Sequence, residues 1–214
     1  MTDTKNSYTP YIIMFVIGIA AMLAGTYFSG NLGIKPKPTI SGTFFDKPKS
    51  VQAFTLTDHN NKEFNASSLK GKWSFIFFGY TNCPDICPQT MNVMKVASIE
   101  FAKLPTLFAN TQYVFVSVDP NRDTAEKLKK YVGYYGKNFV GITGKPDTLT
   151  ALAKQFHTHF MTTIDKDPAK YKVEHGGHIM LINPQGKWQA LFSYPHSATK
   201  MVYDYHSIRA YFKK

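Results

Sequence analysis

Hydrophobic residues follow three rhythms along the chain. The first is an unbroken apolar stretch, Tyr11 to Phe28 (YIIMFVIGIAAMLAGTYF), inside an uncharged run from Asn6 to Ile34. Its 18 positions approach the roughly 20 needed to cross a hydrocarbon core. The pattern therefore predicts a short N-terminal tail, 1–10, and a transmembrane anchor, 11–29. A cleaved signal peptide would want a positive cluster ahead of the span and an A-x-A site after it, and neither is present. Leu23-Ala24-Gly25 looks like the front of a lipoprotein signal, yet Thr26 stands where the lipidated Cys would be, so the anchor is read as uncleaved.

Beyond the span, Gly33 to Ser50 (GIKPKPTISGTFFDKPKS) is rich in proline and lysine. Residues 30–50 read as an extended tether and 51–214 as one domain.

The second rhythm is the short apolar run. Ser74 to Gly79 (SFIFFG) and Tyr113 to Val118 (YVFVSV) are apolar on both faces, as central parallel strands are. Val51 to Leu56 and Phe139 to Thr143 read as further strands. The third rhythm is helical. Met94, Ala97, Phe101 and Leu104 mark a helix from Pro88 to Leu104, and Leu149, Leu152, Ala153 and Phe156 mark another. Between these two, Asp123 with Glu126 forms a capping box for a helix bearing Leu128 and Tyr131.

Towards the C-terminus, Ile179–Ile182 and Trp188–Phe192 flank the turn sequence Asn183-Pro184-Gln185-Gly186 and read as a hairpin. Ser197 caps a last helix with Met201, Tyr205 and Ile208. The layout is α/β and thioredoxin-like, with an N-terminal transmembrane helix.

Composition narrows the function classes. With 43% hydrophobic and 15% aromatic residues the chain can fill a core, which excludes a disordered, collagen-like or coiled-coil protein. Two cysteines in 214 residues exclude a disulfide-dense scaffold and a four-cysteine zinc module. The net charge is +11, but no lysine run exceeds Lys129-Lys130 or Lys213-Lys214, so no nucleic-acid partner is expected. Such a charge suits docking on anionic membrane lipid or on an acidic partner surface.

The chemistry concentrates in Gly79 to Pro88 (GYTNCPDICP), between a buried strand and a helix. Both cysteines precede a proline, which disfavours the α region for them, and Pro88 is tolerated at a first helical position. The helix is therefore expected to start near Pro88, with Cys83 and Cys87 on a loop bracing its N-terminus. There both sulfurs would be thiolates of lowered pKa, able to chelate a soft metal or close a disulfide. Met91 reads as core filler, and His157 with His159 as a pair on a solvated loop.

Three blocks, GYTNCPDICP at Gly79–Pro88, SVDPNRDT at Ser117–Thr124 and YKVEHGGHIMLINPQG at Tyr171–Gly186, resemble the Sco (SenC) family of thioredoxin-fold copper chaperones for cytochrome c oxidase assembly. The resemblance implies that Cys83, Cys87 and His175 hold copper as Cu(I) or Cu(II), the histidine lying nine residues before Pro184 as in the family. Glu174 stands where the family has Asp, which keeps a carboxylate near the ligand, and His178 takes a position that is generally apolar. The resemblance further implies as partners the copper-receiving oxidase subunit with its dinuclear centre, an upstream copper donor and a thiol reductant.

From the residues, two thiolates suit Cu(I) and an imidazole suits Cu(II). Three ligands fit an open transfer site better than structural zinc. Asp119 and Asp123 read as turn and cap residues that can also support the ligands.

The rival reading is an enzyme, a membrane-tethered thiol-disulfide oxidoreductase or a thiol peroxidase on the same fold. The spacing departs from C-x-x-C, and Pro84 stands where a peroxiredoxin has Thr. The chain is read as a metallochaperone rather than a turnover enzyme. Lys35, Lys37, Lys47 and Lys49 follow the span closely while Lys5 alone precedes it, which would favour a cytoplasmic domain. Large domains translocate largely regardless of flanking charge, so the site chemistry decides for export. An N-terminal anchor without an Arg- and Ser-rich transit leader favours a bacterial inner membrane over a mitochondrion, single-pass, with the domain in the periplasm.

Overall fold

The computed structural model describes residues 8–31, 36–104, 110–163 and 171–212. They belong to two units, Met1–Lys37 and Pro38–Lys214. In the first, α1 runs from Thr9 to Asn31. At 1.5 Å per residue its 23 residues extend about 35 Å. Ile12, Ile13, Met14 and Phe15, which point to all sides of the helix, are exposed, so no face of that turn is polar, as in a membrane span. Pro10–Phe28 is long and apolar enough to cross a bilayer.

The second unit is built on an eight-stranded sheet ordered β1-β10-β9-β4-β5-β6-β2-β3. Its strands are β1 (Thr43–Ser50), β2 (Thr55–Asp58), β3 (Glu63–Asn65), β4 (Trp73–Gly79), β5 (Thr111–Ser117), β6 (Phe139–Thr143), β9 (Ile179–Ile182) and β10 (Lys187–Phe192). A separate ribbon pairs β7 (Phe160–Thr163) with β8 (Lys172–His175). The helices are α2 (Ile86–Ala102), α3 (Ala125–Gly133), α4 (Pro146–Gln155) and α5 (Ala198–Phe212).

Strands β4, β5 and β6 are parallel because helices α2 and α3 carry the chain back between them, the connection parallel pairing requires. Side chains alternate across β4. Phe75 and Phe77 enter a cluster with Met91, Met94 and Phe101 of α2 and Tyr205 of α5. Ile76 and Phe78 enter a second cluster with Leu149 and Leu152 of α4. The Phe75 ring stacks on Tyr113 at 5.5 Å and meets Tyr205 edge-on at 5.1 Å. Each such fully buried aromatic contributes about 3 kcal/mol, so the sheet is pinned from both faces.

The sheet reverses direction of growth at β4. Parallel β5 lies on one side, while antiparallel β9 lies on the other with Phe77 opposite Ile179. The carboxyl end of β4, the carboxyl end of β5 and the start of β9 therefore meet at one edge, the crevice where open α/β sheets place ligands.

Several elements depart from the sequence expectations. The strand expected at Val51–Leu56 begins at Thr55, and the Gln52 amide donates to Gln155 Oε1 at 2.7 Å instead of joining a ladder. The tether expected over 30–50 is partly sheet, because Thr43–Ser50 forms β1 against β10. Its lysines, Pro48 and a register shift between Phe44 and Lys49 are features of a protected edge strand, and they hide its periodicity. Asp123 does not cap α3. Thr124 does, accepting from the Lys127 amide at 3.2 Å, because the Asp123 carboxylate is engaged elsewhere.

Candidate metal centre

The cysteine loop leaves β4 at Gly79. A Cβ on that residue would lie 2.6 Å from Cys87 Sγ and 2.9 Å from Phe115 Cε2, so glycine is what lets the sulfur approach the strand end. Helix α2 begins at Ile86, two residues earlier than expected, and Cys87 lies in its first turn. Proline is accepted at position 88 because the first amides of a helix have no internal partner to lose. The pre-proline bias is overridden for Cys87 while Cys83 stays on the loop.

His175 ends β8 and reaches the same edge from the other side. The ligand atoms of Cys83, Cys87 and His175 lie within 4.8 Å of one another, with Cys87 Sγ 3.1 Å from His175 Nε2. The imidazole is held edge-on by Phe77 and by Tyr80, each at 5.8 Å between ring centres. Its Nδ1 lies 3.2 Å from the Gly176 carbonyl. Two glycines then bring the chain in tightly, since a Cβ on Gly177 would come within 2.6 Å of Ile86 Cδ1.

The two thiols are not equivalent, contrary to the expectation of two lowered values. Cys83 is half-buried and its thiol is pulled down to about 3, chiefly by the Cys87 side chain, with help from His175 and the backbone of Asp85 and Cys87. Cys87 is fully buried, and burial followed by the neighbouring Cys83 pushes its thiol up. A single negative charge shared between the sulfurs, seated on Cys83, is the stable arrangement of this coupled pair.

The loop after β5 supports both arms. Val118 donates to the Gly79 carbonyl at 2.9 Å. The buried Asp123 carboxylate accepts from the Thr81 amide at 2.9 Å, from Thr81 Oγ1 at 2.5 Å and from Ser117 Oγ at 2.6 Å, with Lys127 Nζ at 3.4 Å. Asp119 accepts from Arg122 Nε at 2.5 Å and from the Tyr171 hydroxyl. Both carboxylates thus stand behind the site. Glu174 does not: it is exposed on the opposite face of β8 from Val173 and His175, as strand alternation dictates.

His178 lies on the connection between β8 and β9, outside the three-residue cluster, with Nδ1 buried and unpartnered. His157 is drawn away from the site, its Nε2 3.1 Å from Lys49 Nζ, and Met91 is core, as expected. Sequence reasoning missed Tyr80, Thr81, Arg122 and Tyr171. For Arg122 and Tyr171 the signal was their place in the SVDPNRDT and YKVEHGG blocks.

Comparison with known proteins gives the family of the chain. The SCO1/SenC family model matches residues 45–210. A SCO2-like protein of Rickettsia felis is 31% identical over 91% of this chain and 92% of its own length. Protein sco1 of Schizosaccharomyces pombe is 33% identical over 68% of this chain, which spans 56% of that protein. The crystal structure of Arabidopsis thaliana ScoI with copper bound aligns with a TM-score of 0.68 at 28% identity, covering 74% of this chain and 98% of that one. The chain belongs to the SCO1/SenC family.

Proposed function

We propose that this chain is a membrane-anchored copper chaperone that carries copper on Cys83, Cys87 and His175 and delivers it to the dinuclear copper centre of cytochrome c oxidase. The observation that carries the reading is the convergence of two sulfurs and one imidazole nitrogen within 4.8 Å at the reversal edge of the sheet. The donor set fits copper in both states, because soft thiolates select Cu(I) and imidazole accepts Cu(II). The solved relative with copper bound supports the choice of metal.

Three protein donors leave a coordination position through which an acceptor's ligand can enter. Cys83, half-exposed, faces that approach, whereas Cys87 has no exposed surface. Ligand exchange therefore begins at Cys83, with Cys87 and His175 holding the ion until the acceptor has replaced the first sulfur. An upstream donor reloads the site, and a thiol reductant restores the dithiol, since sulfurs joined in a Cys83–Cys87 disulfide cannot both ligate.

The proposed setting is a bacterial inner membrane. Residues 11–29 form the anchor, the segment from 30 up to β1 the tether, and the domain lies in the periplasm. The +11 charge favours approach to anionic lipid and to an acidic acceptor.

The half-exposed Cys83 thiolate in front of a buried Cys87 also favours a second reading, reduction of the acceptor's own disulfide. Cys83 attacks one target sulfur and forms a mixed disulfide. The first released target sulfur takes a proton from water. Cys87 then attacks Cys83 Sγ as its own proton passes to the second departing target sulfur, leaving a Cys83–Cys87 disulfide and a target dithiol with no need of the imidazole.

His175→Ala in the full chain separates the readings. The chaperone reading expects a reducible disulfide and Cu(I) binding to persist while Cu(II) binding and oxidase assembly in cells are lost, and expects His178→Ala to do little. Normal oxidase activity with His175→Ala, together with its loss in either Cys→Ser variant, would make the protein a thiol reductase.

A further inference from the structure

His175 is carried by a ribbon of two strands, β7 and β8, paired from Phe160 opposite His175 to Thr163 opposite Lys172 and outside the eight-stranded sheet. A lone two-stranded ribbon is marginally stable in water. Val173 is buried in the second core cluster with Phe160 and Tyr171 packed against it, and the polar contacts at the start of β8 converge on Arg122.

The Arg122 guanidinium lies 3.6 Å from the centre of the Tyr171 ring, and its Nη1 donates to the Tyr171 carbonyl at 3.0 Å. Its Nε donates to Asp119 Oδ2 at 2.5 Å, and Asp119 Oδ1 accepts the Tyr171 hydroxyl. The three residues close a triangle one residue ahead of β8. On the other side the guanidinium stands 5.7 Å from the Tyr80 ring, which itself lies edge-on to His175 and three residues before Cys83. The next residue but one on the same loop is Asp123's neighbour Thr124, and Asp123 itself grips Thr81. One short segment thus touches the backbone leading to each arm of the site.

We propose that Arg122 is a positioning residue for the histidine arm, a brace that sets His175 against a cysteine pair fixed independently by Asp123. The inference rests on the copper reading of the site. A planar fork that bonds through Nε and Nη1 and stacks at the same time cannot be replaced by an ammonium, so Arg122→Lys keeps the charge and loses the brace. The consequence is selective. Two thiolates suffice for Cu(I), whereas Cu(II) needs the imidazole, so a loosened histidine arm costs Cu(II) binding and spares Cu(I).

The test uses the full chain in detergent, with Arg122→Lys, Arg122→Ala and Tyr171→Phe beside wild type and His175→Ala. Cu(II) and Cu(I) affinities are read by competition, nitrogen coupling by electron paramagnetic resonance, and metal-free amide exchange by mass spectrometry. Removal of an outer partner of a metal-binding histidine typically weakens the site about 10-fold or more. That loss is expected for Cu(II) in both Arg122 variants, with reduced nitrogen coupling, near-unchanged Cu(I) affinity, and faster exchange in β8 but not α2.

Tyr171→Phe removes a single hydrogen bond, is the variant least able to disturb folding, and is expected to shift β8 exchange in the same direction by less. Wild-type Cu(II) affinity and wild-type β8 exchange in Arg122→Lys would overturn the brace, as would equal loss of both copper states with faster α2 exchange. If wild type and His175→Ala bind Cu(II) alike, the copper reading fails on its own, and the exchange measurement still decides whether Arg122 seats the ribbon.

Discussion

Four residues apart, Cys83 and Cys87 meet opposite electrostatic conditions. Cys83 receives hydrogen bonds and some solvent, so its folded value near 3 lies far below the ordinary 9. A depressed value means that its ionisation stabilises the fold fully above about pH 9 and that the contribution fades as pH falls towards 3. Cys87 runs the other way, its neutral form stabilising at low pH and losing that contribution as pH rises. Iodoacetamide labelling resolved by mass spectrometry should therefore modify Cys83 of the reduced, metal-free chain at a rate that is flat between about pH 5 and pH 8. Cys87 should stay unlabelled until the fold opens. A Cys83 rate climbing about tenfold per pH unit would show an ordinary thiol. Gly79 is equally specific, since a methyl there must displace Cys87 Sγ or Phe115. Gly79→Ala should lower stability by about 1–3 kcal/mol in a denaturant titration and change the labelling rate of Cys83.

Among the elements, the loop joining β5 to α3 holds the site together, and Asp123 is its fixed point. Oδ2 of Asp123 accepts from the Thr81 amide and Ser117 Oγ while Oδ1 faces Thr81 Oγ1 and Lys127 Nζ. Asp123→Asn must therefore turn its N–H₂ towards either a backbone N–H or an ammonium, neither of which can accept. The buried mismatch should cost about 1–3 kcal/mol in thermal or denaturant unfolding and loosen the loop before Cys83, a change readable as faster amide exchange at Thr81. An Asp123→Asn protein with unchanged stability and exchange would remove Asp123 from the support of the site. The same loop shows where sequence reading stops. The central strands were legible because burial on both faces leaves an uninterrupted apolar run, and the hairpin before α5 because Asn-Pro-Gln-Gly is turn chemistry. Asp123 was misread because Asp followed by Glu three residues later has the spacing of a cap, whereas its carboxylate bonds Thr81, 42 positions away. Pro88 misplaced the start of α2 because first-turn prolines satisfy two registers equally well. The ribbon under His175 was invisible, since a four-residue strand with one buried position carries no periodicity.

At the scale of the whole molecule, two physical arguments about orientation disagree. The lysines after the span favour retention of the domain in the cytoplasm. The redox pair favours export: in the cytosol, glutathione and thioredoxin would keep Cys83 and Cys87 reduced, and a switch between dithiol and disulfide would have one position. The second argument carries more weight, because charge bias governs short loops while a folded domain of this size translocates largely regardless of it. The domain also brings the start of its own chain under control, since the buried Asp204 of α5 accepts from the Ser41 amide at 3.1 Å, fixing the segment that enters β1. The expected topology is N-terminus inside and domain outside. Alkaline phosphatase, which needs an oxidising compartment to form its disulfides, should be active when fused after Lys214, and a green fluorescent protein exported through the same route should stay dark. An inactive phosphatase with a bright fluorescent fusion would put the domain in the cytoplasm, where neither the proposed disulfide switch nor the proposed delivery to a periplasmic copper centre could operate.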